Sequence, residues 1–134
     1  MPGPIRDRVH AYLAAVGEGR FDDLREMLHP DASFGGAISG SFEGREAFVG
    51  AFTRLSAILV RNDVREVVVE GDRAFVLYDF VTDTPVGPVL SGELITFEGE
   101  LIRSSILLFD QRRWPEVMAE VARRAAAAPS TGQR

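Results

Sequence analysis

Residues 64–82 read VREVVVEGDRAFVLYDFVT, and residues 90–109 read LSGELITFEGELIRSSILLF. Each segment contains two apolar runs separated by a short turn, which holds Gly71 in the first segment and Gly99 in the second. Runs of β-branched and aromatic residues on either side of a glycine turn are typical of β-hairpins. A longer connection with Pro85, Gly87 and Pro88 joins the two segments. The pattern therefore predicts an antiparallel meander of four strands at residues 64–70, 74–82, 90–97 and 101–109.

Helical periodicity replaces this pattern in the first half of the chain. Apolar residues recur at helical spacing in residues 5–16, in a short segment from Asp22 to just before Pro30, and in residues 44–59. A short extended piece is predicted at residues 32–34, and a last helix at residues 116–126. Helices followed by a run of strands favour an α+β domain over an alternating α/β one.

Length and composition are consistent with one domain. The chain has 134 residues, of which 46% are hydrophobic, enough for a single core. We assign residues 1–126 to this domain and expect residues 127–134, which are small and polar, to form a disordered tail. The beginning of the chain lacks the apolar run of a signal peptide, and no segment has the length and hydropathy of a membrane span. We therefore predict a cytoplasmic protein.

Several classes of chemistry are excluded by residue type. The net charge of −5 disfavours nucleic acid and anionic membranes as partners. The chain has no Lys, which excludes a Schiff base, and no Cys, which excludes disulfides and thiolate nucleophiles. His10 and His29 stand too far apart in sequence for a recognisable metal motif. We expect neither a metal nor another cofactor.

Three stretches resemble a known superfamily. They are residues 12–34, with YLAAV, GRFDDL and HPDASF; residues 44–48, GREAF; and residues 97–102, FEGELI, followed by LFD at 108–110. Over residues 5–120 the chain resembles the nuclear transport factor 2-like superfamily, in its SnoaL-like, ketosteroid isomerase-like and limonene epoxide hydrolase-like branch. The resemblance implies a cone-shaped, strongly curved antiparallel sheet around three N-terminal helices, a cystatin-like α+β roll, here with an extra C-terminal helix. It also implies a small-molecule pocket and frequent homodimers. It does not imply an activity, because this fold carries many.

Two known activities of the superfamily can be compared residue by residue. In ketosteroid isomerase an Asp base works with a Tyr and a protonated Asp that donate hydrogen bonds to the oxyanion. The resemblance places Tyr12 at the tyrosine, Glu93 at the protonated acid and Gly36 at the base, so the base is missing. The epoxide hydrolase set of Asp, Arg and Asp is also incomplete, with Asp79 as its one candidate carboxylate. The candidate catalytic residues are therefore Tyr12, Glu93 and Asp79. A buried carboxylate among them would need a partner such as Arg103, whereas the alternative for Asp79, which we favour, is an ion pair with an Arg on the surface or at a dimer face.

Apolar side chains are expected to line the pocket. The predicted ligand-binding residues are Phe34, Phe48, Phe52, Leu55, Phe80, Ile95, Phe97 and Trp114. Two functions remain open: a small-molecule-binding protein without chemistry, favoured by the absent base, and an isomerase, cyclase or hydrolase acting on a polyketide-, terpenoid- or steroid-like compound. A transport-type partner-binding surface is a third option with only the fold behind it. A homodimer would cover the convex face of the sheet at Val68, Leu77 and Leu107.

Overall fold

The computed structural model describes residues 4–36 and 40–127. In chain order the elements are α1 (Ile5–Gly17), α2 (Phe21–Met27), β1 (Leu28–Gly36), β2 (Gly40–Glu43), α3 (Arg45–Leu55), β3 (Leu59–Glu70), β4 (Arg73–Thr82), β5 (Pro88–Glu98), β6 (Leu101–Phe109) and α4 (Trp114–Ala127). The tail predicted at residues 127–134 lies outside the described residues except for Ala127, which ends α4. No helix in the described ranges is long and apolar enough to cross a membrane.

One curved sheet of six strands organises these elements, in the order β2-β1-β6-β5-β4-β3. Strands β3 to β6 pair antiparallel with their sequence neighbours, which confirms the predicted meander. Strand β1 then pairs parallel with β6 and antiparallel with β2. The sheet wraps around the three N-terminal helices and α4 follows it, so the α+β class and the extra C-terminal helix are confirmed.

The core lies between the concave face of the sheet and the helices. Helix α1 buries Val9, Tyr12, Leu13 and Val16, which follow the helical repeat. Strand β4 alternates in step with the pleat, so that Ala74, Val76, Tyr78, Phe80 and Thr82 point inward. The same alternation turns Phe75, Leu77 and Asp79 outward.

Two predicted boundaries were wrong, both because strands are irregular. Strand β1 is longer than the predicted residues 32–34, because it continues through Pro30. Proline is tolerated there because the pairing with β6 shifts register between Leu28 and Ser33, so Pro30 does not have to donate a hydrogen bond to the sheet. Helix α3 ends at Leu55, where the Ser56 hydroxyl donates to the carbonyl of Thr53, and β3 starts already at Leu59. Two register shifts in β3 break the alternation that would have revealed its first half.

A further register shift, opposite Thr96 and Phe97 of β5, decides which way β6 faces. Ile102 and Ser105 are both buried, although residues three positions apart in a regular strand point to opposite faces. Beyond Ser105 the regular alternation resumes. Leu107 is therefore on the inner side, packed against the core, while Ile106 and Leu108 are exposed. The expectation that Leu107 lies on the convex face was wrong for this reason. Val68 does lie on that face, with its side chain exposed.

Candidate functional site

A carboxyl group lies at the centre of the fold. Glu93 of β5 has 0% of its surface exposed. Three hydroxyl groups from three different elements contact its two oxygens: Tyr12 of α1 at 2.7 Å and Ser105 of β6 at 2.6 Å on Oε1, and Tyr78 of β4 at 2.5 Å on Oε2. We call these four residues the Glu93 cluster. Tyr12 and Glu93, two of the three candidate catalytic residues, are therefore in direct contact.

The Glu93 cluster holds its carboxyl group without a positive partner. No Arg or His in the described part of the chain makes an ion pair with Glu93. Burial raises the pKa of Glu93 above its ordinary value, against the hydrogen bonds from Ser105, Tyr78 and Tyr12, which act to lower it. Burial, with the nearby Glu93 charge next, also raises the pKa of both tyrosines well above its ordinary value. The tyrosines are therefore hydrogen-bond donors and not phenolates.

The state of Glu93 decides what the Tyr78 hydroxyl can do. When Glu93 is ionised, its oxygens accept from all three hydroxyls, and Tyr78 can only accept a further bond. When Glu93 is protonated, Oε1 can still accept from Tyr12 and Ser105, while a proton on Oε2 points at the Tyr78 oxygen. The Tyr78 proton is then free to be donated elsewhere.

Beside the Glu93 cluster lies an apolar cavity of about 190 Å³. It is bounded by α3, by the inner face of the sheet and by α4. Its lining residues are Phe34, Phe42, Ala51, Phe52, Arg54, Leu55, Tyr78, Phe80, Val89, Ser91, Leu107, Phe109, Trp114 and Met118. Tyr78 alone belongs to both the lining and the Glu93 cluster, so it connects the buried carboxyl to the cavity.

The cavity occupies one end of the concave sheet face, so only some of the predicted lining residues reach it. Phe34, Phe52, Leu55, Phe80 and Trp114 line it. Phe48, Ile95 and Phe97 do not, which corrects their assignment. Along β5 the inward residues Val89 and Ser91 face the cavity, Glu93 follows, and Ile95 and Phe97 come after it in the solid core. Phe48 packs one layer deeper, with its ring centre 6.2 Å from that of Tyr12.

Asp79 lies outside the site. It is on the outward side of β4, where its carboxylate is held by the Arg65 side chain at 2.8 Å. This is the surface ion pair with an Arg that we favoured for Asp79. Arg103, the partner expected for a buried carboxylate, instead donates to the carbonyl of Asp31 at 2.6 Å. The assignment of Asp79 to the catalytic set is therefore corrected, because strand alternation separates it from Tyr78 and Phe80.

Tyr78 is the functional candidate that the sequence reasoning missed. Tyr78 lies two residues before Phe80 and therefore on the same, inner face of β4, so its burial could be predicted from the sequence. Its contact with Glu93 was not readable, because the β4–β5 register depends on the irregular connection at residues 83–87. The part of the chain that the structure describes contains no group of three His, Asp or Glu side chains able to hold a metal ion.

Comparisons with known proteins agree with this architecture. The sequence profile of the SnoaL-like domain matches residues 9–104. No curated protein sequence matches the chain significantly. Among solved structures, a nuclear transport factor 2-like protein from Cytophaga hutchinsonii superposes with a TM-score of 0.73 at 21% identity, covering 85% of this chain and 96% of that one.

Two further solved structures have the same fold. A protein with a cystatin-like fold from Silicibacter pomeroyi has a TM-score of 0.73 at 15% identity, with 90% of this chain and 86% of that one covered. A putative polyketide cyclase from Sinorhizobium meliloti has a TM-score of 0.68 at 22% identity, with 75% and 93% covered. At these identities the likeness concerns the fold alone.

Proposed function

The chain belongs to the SnoaL-like domain family within the nuclear transport factor 2-like superfamily, and we propose that it binds a small oxygen-containing apolar molecule in the cavity beside Tyr78. The family fold is used by binding proteins and by enzymes alike, so the proposal rests on the site and not on the fold. The observation that carries it is the Tyr78 hydroxyl, which joins an apolar cavity to a buried carboxyl group.

The lining supports a ligand that is mostly apolar. Aromatic and aliphatic side chains make up the walls, and Tyr78, Ser91 and Arg54 are the polar exceptions. The Ser91 hydroxyl already donates to the carbonyl of Val89 at 3.0 Å. An engineered apolar cavity of about 150 Å³ takes up one benzene molecule. A volume of about 190 Å³ therefore favours a compact molecule with one or two rings over a four-ring steroid.

Tyr78 supplies the polar contact. With Glu93 protonated, the Tyr78 hydroxyl donates to a carbonyl or ether oxygen in the cavity, while the carboxylic acid holds the Tyr78 oxygen in place. A hydrogen bond formed in an apolar enclosure contributes about 1 kcal/mol, or roughly fivefold in affinity. This contact would distinguish an oxygenated ligand from a hydrocarbon of the same shape.

A matched pair of ligands tests the proposal. 1-Tetralone and tetralin differ in one carbonyl oxygen, and Trp114, the single Trp of the chain, lines the cavity and reports binding by its fluorescence. We expect wild-type protein to prefer 1-tetralone by about fivefold, and Tyr78→Phe to lose that preference. Tyr12→Phe removes a hydroxyl from the same carboxyl group, but Tyr12 does not line the cavity, so the preference should remain. Absence of binding by both ligands would refute the proposal.

Binding without chemistry is favoured over catalysis by the lining. No carboxylate or His is among the described residues that line the cavity, so an acidic C–H bond has no base within reach. The alternative is an enzyme that uses Tyr78 and Glu93 as acids to polarise a carbonyl group, and the resemblance of Tyr12 and Glu93 to an oxyanion-binding pair favours it. Deuterium exchange at the α-carbon of 1-tetralone in D₂O separates the two, because only the enzyme would accelerate it.

We also propose that two copies associate through the convex face of the sheet. Val68, Phe75, Leu90, Ile106 and Leu108 are exposed there, and the exposed fractions of Ile106 and Leu108 reach 54% and 58%. Neighbouring strands bring these side chains together, and a monomeric soluble protein rarely exposes an apolar patch of this kind. Light scattering after size exclusion should give the mass of a dimer, and Leu108→Asp should give that of a monomer. A monomeric wild-type protein would rule the proposal out.

A further inference from the structure

One charged residue lies on the rim of the cavity. Arg54 is the last residue but one of α3, its side chain is exposed, and it is the one charged residue among the described residues that line the cavity. All the other lining residues are uncharged. A guanidinium group beside an otherwise apolar space is a specific chemical feature, because it can bind an anionic or hydrogen-bond-accepting group of a ligand.

Arg54 has no partner among the described residues, and this separates it from most other arginines of the chain. Arg25, Arg65 and Arg112 each hold a carboxylate within 3 Å. The Arg54 side chain makes neither a hydrogen bond nor an ion pair with a described residue. Arg73 is the other described arginine without either contact, but it begins β4 and does not line the cavity.

The net charge of the chain bears on which ligands could reach Arg54. At −5 the protein as a whole repels anions. A negatively charged ligand would therefore need a local positive group, and the cavity has one at Arg54. An ionised Glu93 beneath Tyr78 would also oppose an anion at the inner end. An anionic group on a ligand is thus favoured at the rim and disfavoured at the floor.

We propose that the ligand is a carboxylic acid with a compact apolar body, whose carboxylate pairs with Arg54 while its body fills the cavity. This deepens the proposed function and rests on it. Arg is suited to this role because its planar guanidinium binds a carboxylate through two parallel hydrogen bonds. The body carries a carbonyl or ether oxygen for the buried Tyr78 hydroxyl, so the ligand is held at two polar points, one exposed and one buried.

The test compares a tetralone carboxylate with its primary amide, which has the same shape without the charge. We expect wild-type protein to bind the carboxylate about fivefold tighter than the amide at low ionic strength, and this preference to shrink as salt is added. In Arg54→Gln the preference for the carboxylate over the amide should disappear. Arg54→Lys should restore part of it, since Lys keeps the charge without the planar fork.

Arg73→Gln is the matched control. It changes the net charge by the same amount and removes the other unpartnered arginine, but it lies away from the cavity. It should keep the wild-type preference. Equal binding of acid and amide by wild-type protein, or a preference that survives in Arg54→Gln, would overturn the Arg54 proposal while leaving the neutral-ligand proposal standing. Failure of both the amide and 1-tetralone to bind would overturn both proposals.

Discussion

Replacing Glu93 by Gln tests whether the buried group is a neutral acid. Gln has nearly the same shape, and its amide oxygen can keep the bonds from Tyr12 and Ser105 while its NH₂ group donates to the Tyr78 oxygen. The variant therefore copies the protonated form of Glu93. At pH 4, below both the ordinary glutamate pKa of 4.5 and the raised pKa of the folded chain, Glu93 is mostly protonated in both states, and we expect the two proteins to differ in unfolding free energy by less than about 1 kcal/mol.

The difference between the two proteins should grow as the pH rises. Burial raises the pKa of Glu93 in the folded chain, so between the unfolded and the folded pKa the folded state binds more protons than the unfolded state. Wild-type stability therefore falls relative to Glu93→Gln, by at most about 1.4 kcal/mol per pH unit. The fall begins near the ordinary glutamate pKa of 4.5 and levels off above the folded one.

Urea denaturation followed by circular dichroism from pH 4 to pH 9 measures this difference. Glu66→Gln, at an exposed position on β3, is the control for the loss of a carboxylate and should show no such fall. Glu93→Leu leaves the buried hydroxyls of Tyr12 and Ser105 without an acceptor, and should be about 2–6 kcal/mol less stable than Glu93→Gln. Wild-type protein that gains stability over Glu93→Gln with rising pH would refute the reasoning, because the hydrogen bonds would then outweigh burial.

Three further predictions concern the rest of the molecule. Gly17→Ala should lower the unfolding free energy by about 1–2 kcal/mol in urea titrations, because its Cβ would lie 3.0 Å from the backbone nitrogen of Asn62, and a packed strand cannot move aside. Trp114→Ala removes a ring whose centre is 4.7 Å from that of Phe109; it should cost about 2 kcal/mol and weaken 1-tetralone binding measured by calorimetry. Asp79→Asn should change neither the melting temperature nor 1-tetralone binding, because its ion pair is on the outer face; weakened binding would return Asp79 to the site.

The fold was predictable where side-chain periodicity is regular. The runs at residues 64–82 and 90–109 gave the meander, and β6 begins and ends where predicted, at Leu101 and Phe109. Prediction failed where backbone irregularity interrupts the period. The shifts in β3 hid its first residues, and the shift in β6 reversed the side assigned to Leu107. A change of one residue in register moves every later side chain to the other face, and composition carries no sign of it.

The candidate site was predictable only in part, for a related reason. Glu93 was recognisable because a carboxyl group in an apolar strand must be satisfied by neighbours or neutralised. Which neighbours satisfy it depends on how three elements meet: α1 brings Tyr12, β4 brings Tyr78 and β6 brings Ser105. Periodicity places each of these residues on a face, but not at a height along the sheet. The extent of the cavity was mispredicted for the same reason. Residues such as Ile95 are on the inner face of the sheet, but they belong to the packed core next to the cavity.

The position of Glu93 argues that it has a role beyond holding the fold together. Replacing a buried polar group by a well-packed apolar residue is often neutral or stabilising once its partners are replaced too. If the centre of the fold were purely structural, a Leu in place of Glu93, with apolar residues in place of its hydroxyl partners, would serve equally well. The four polar groups of the Glu93 cluster are instead placed next to the cavity, and one of them, Tyr78, opens onto it. Burial raises the pKa of Glu93 and so favours its protonated form, in which the acid donates to the Tyr78 oxygen and the Tyr78 proton is left to the cavity. On our proposal, the free-energy cost of the buried acid is tied to the hydrogen bond that Tyr78 donates to the oxygen of the ligand.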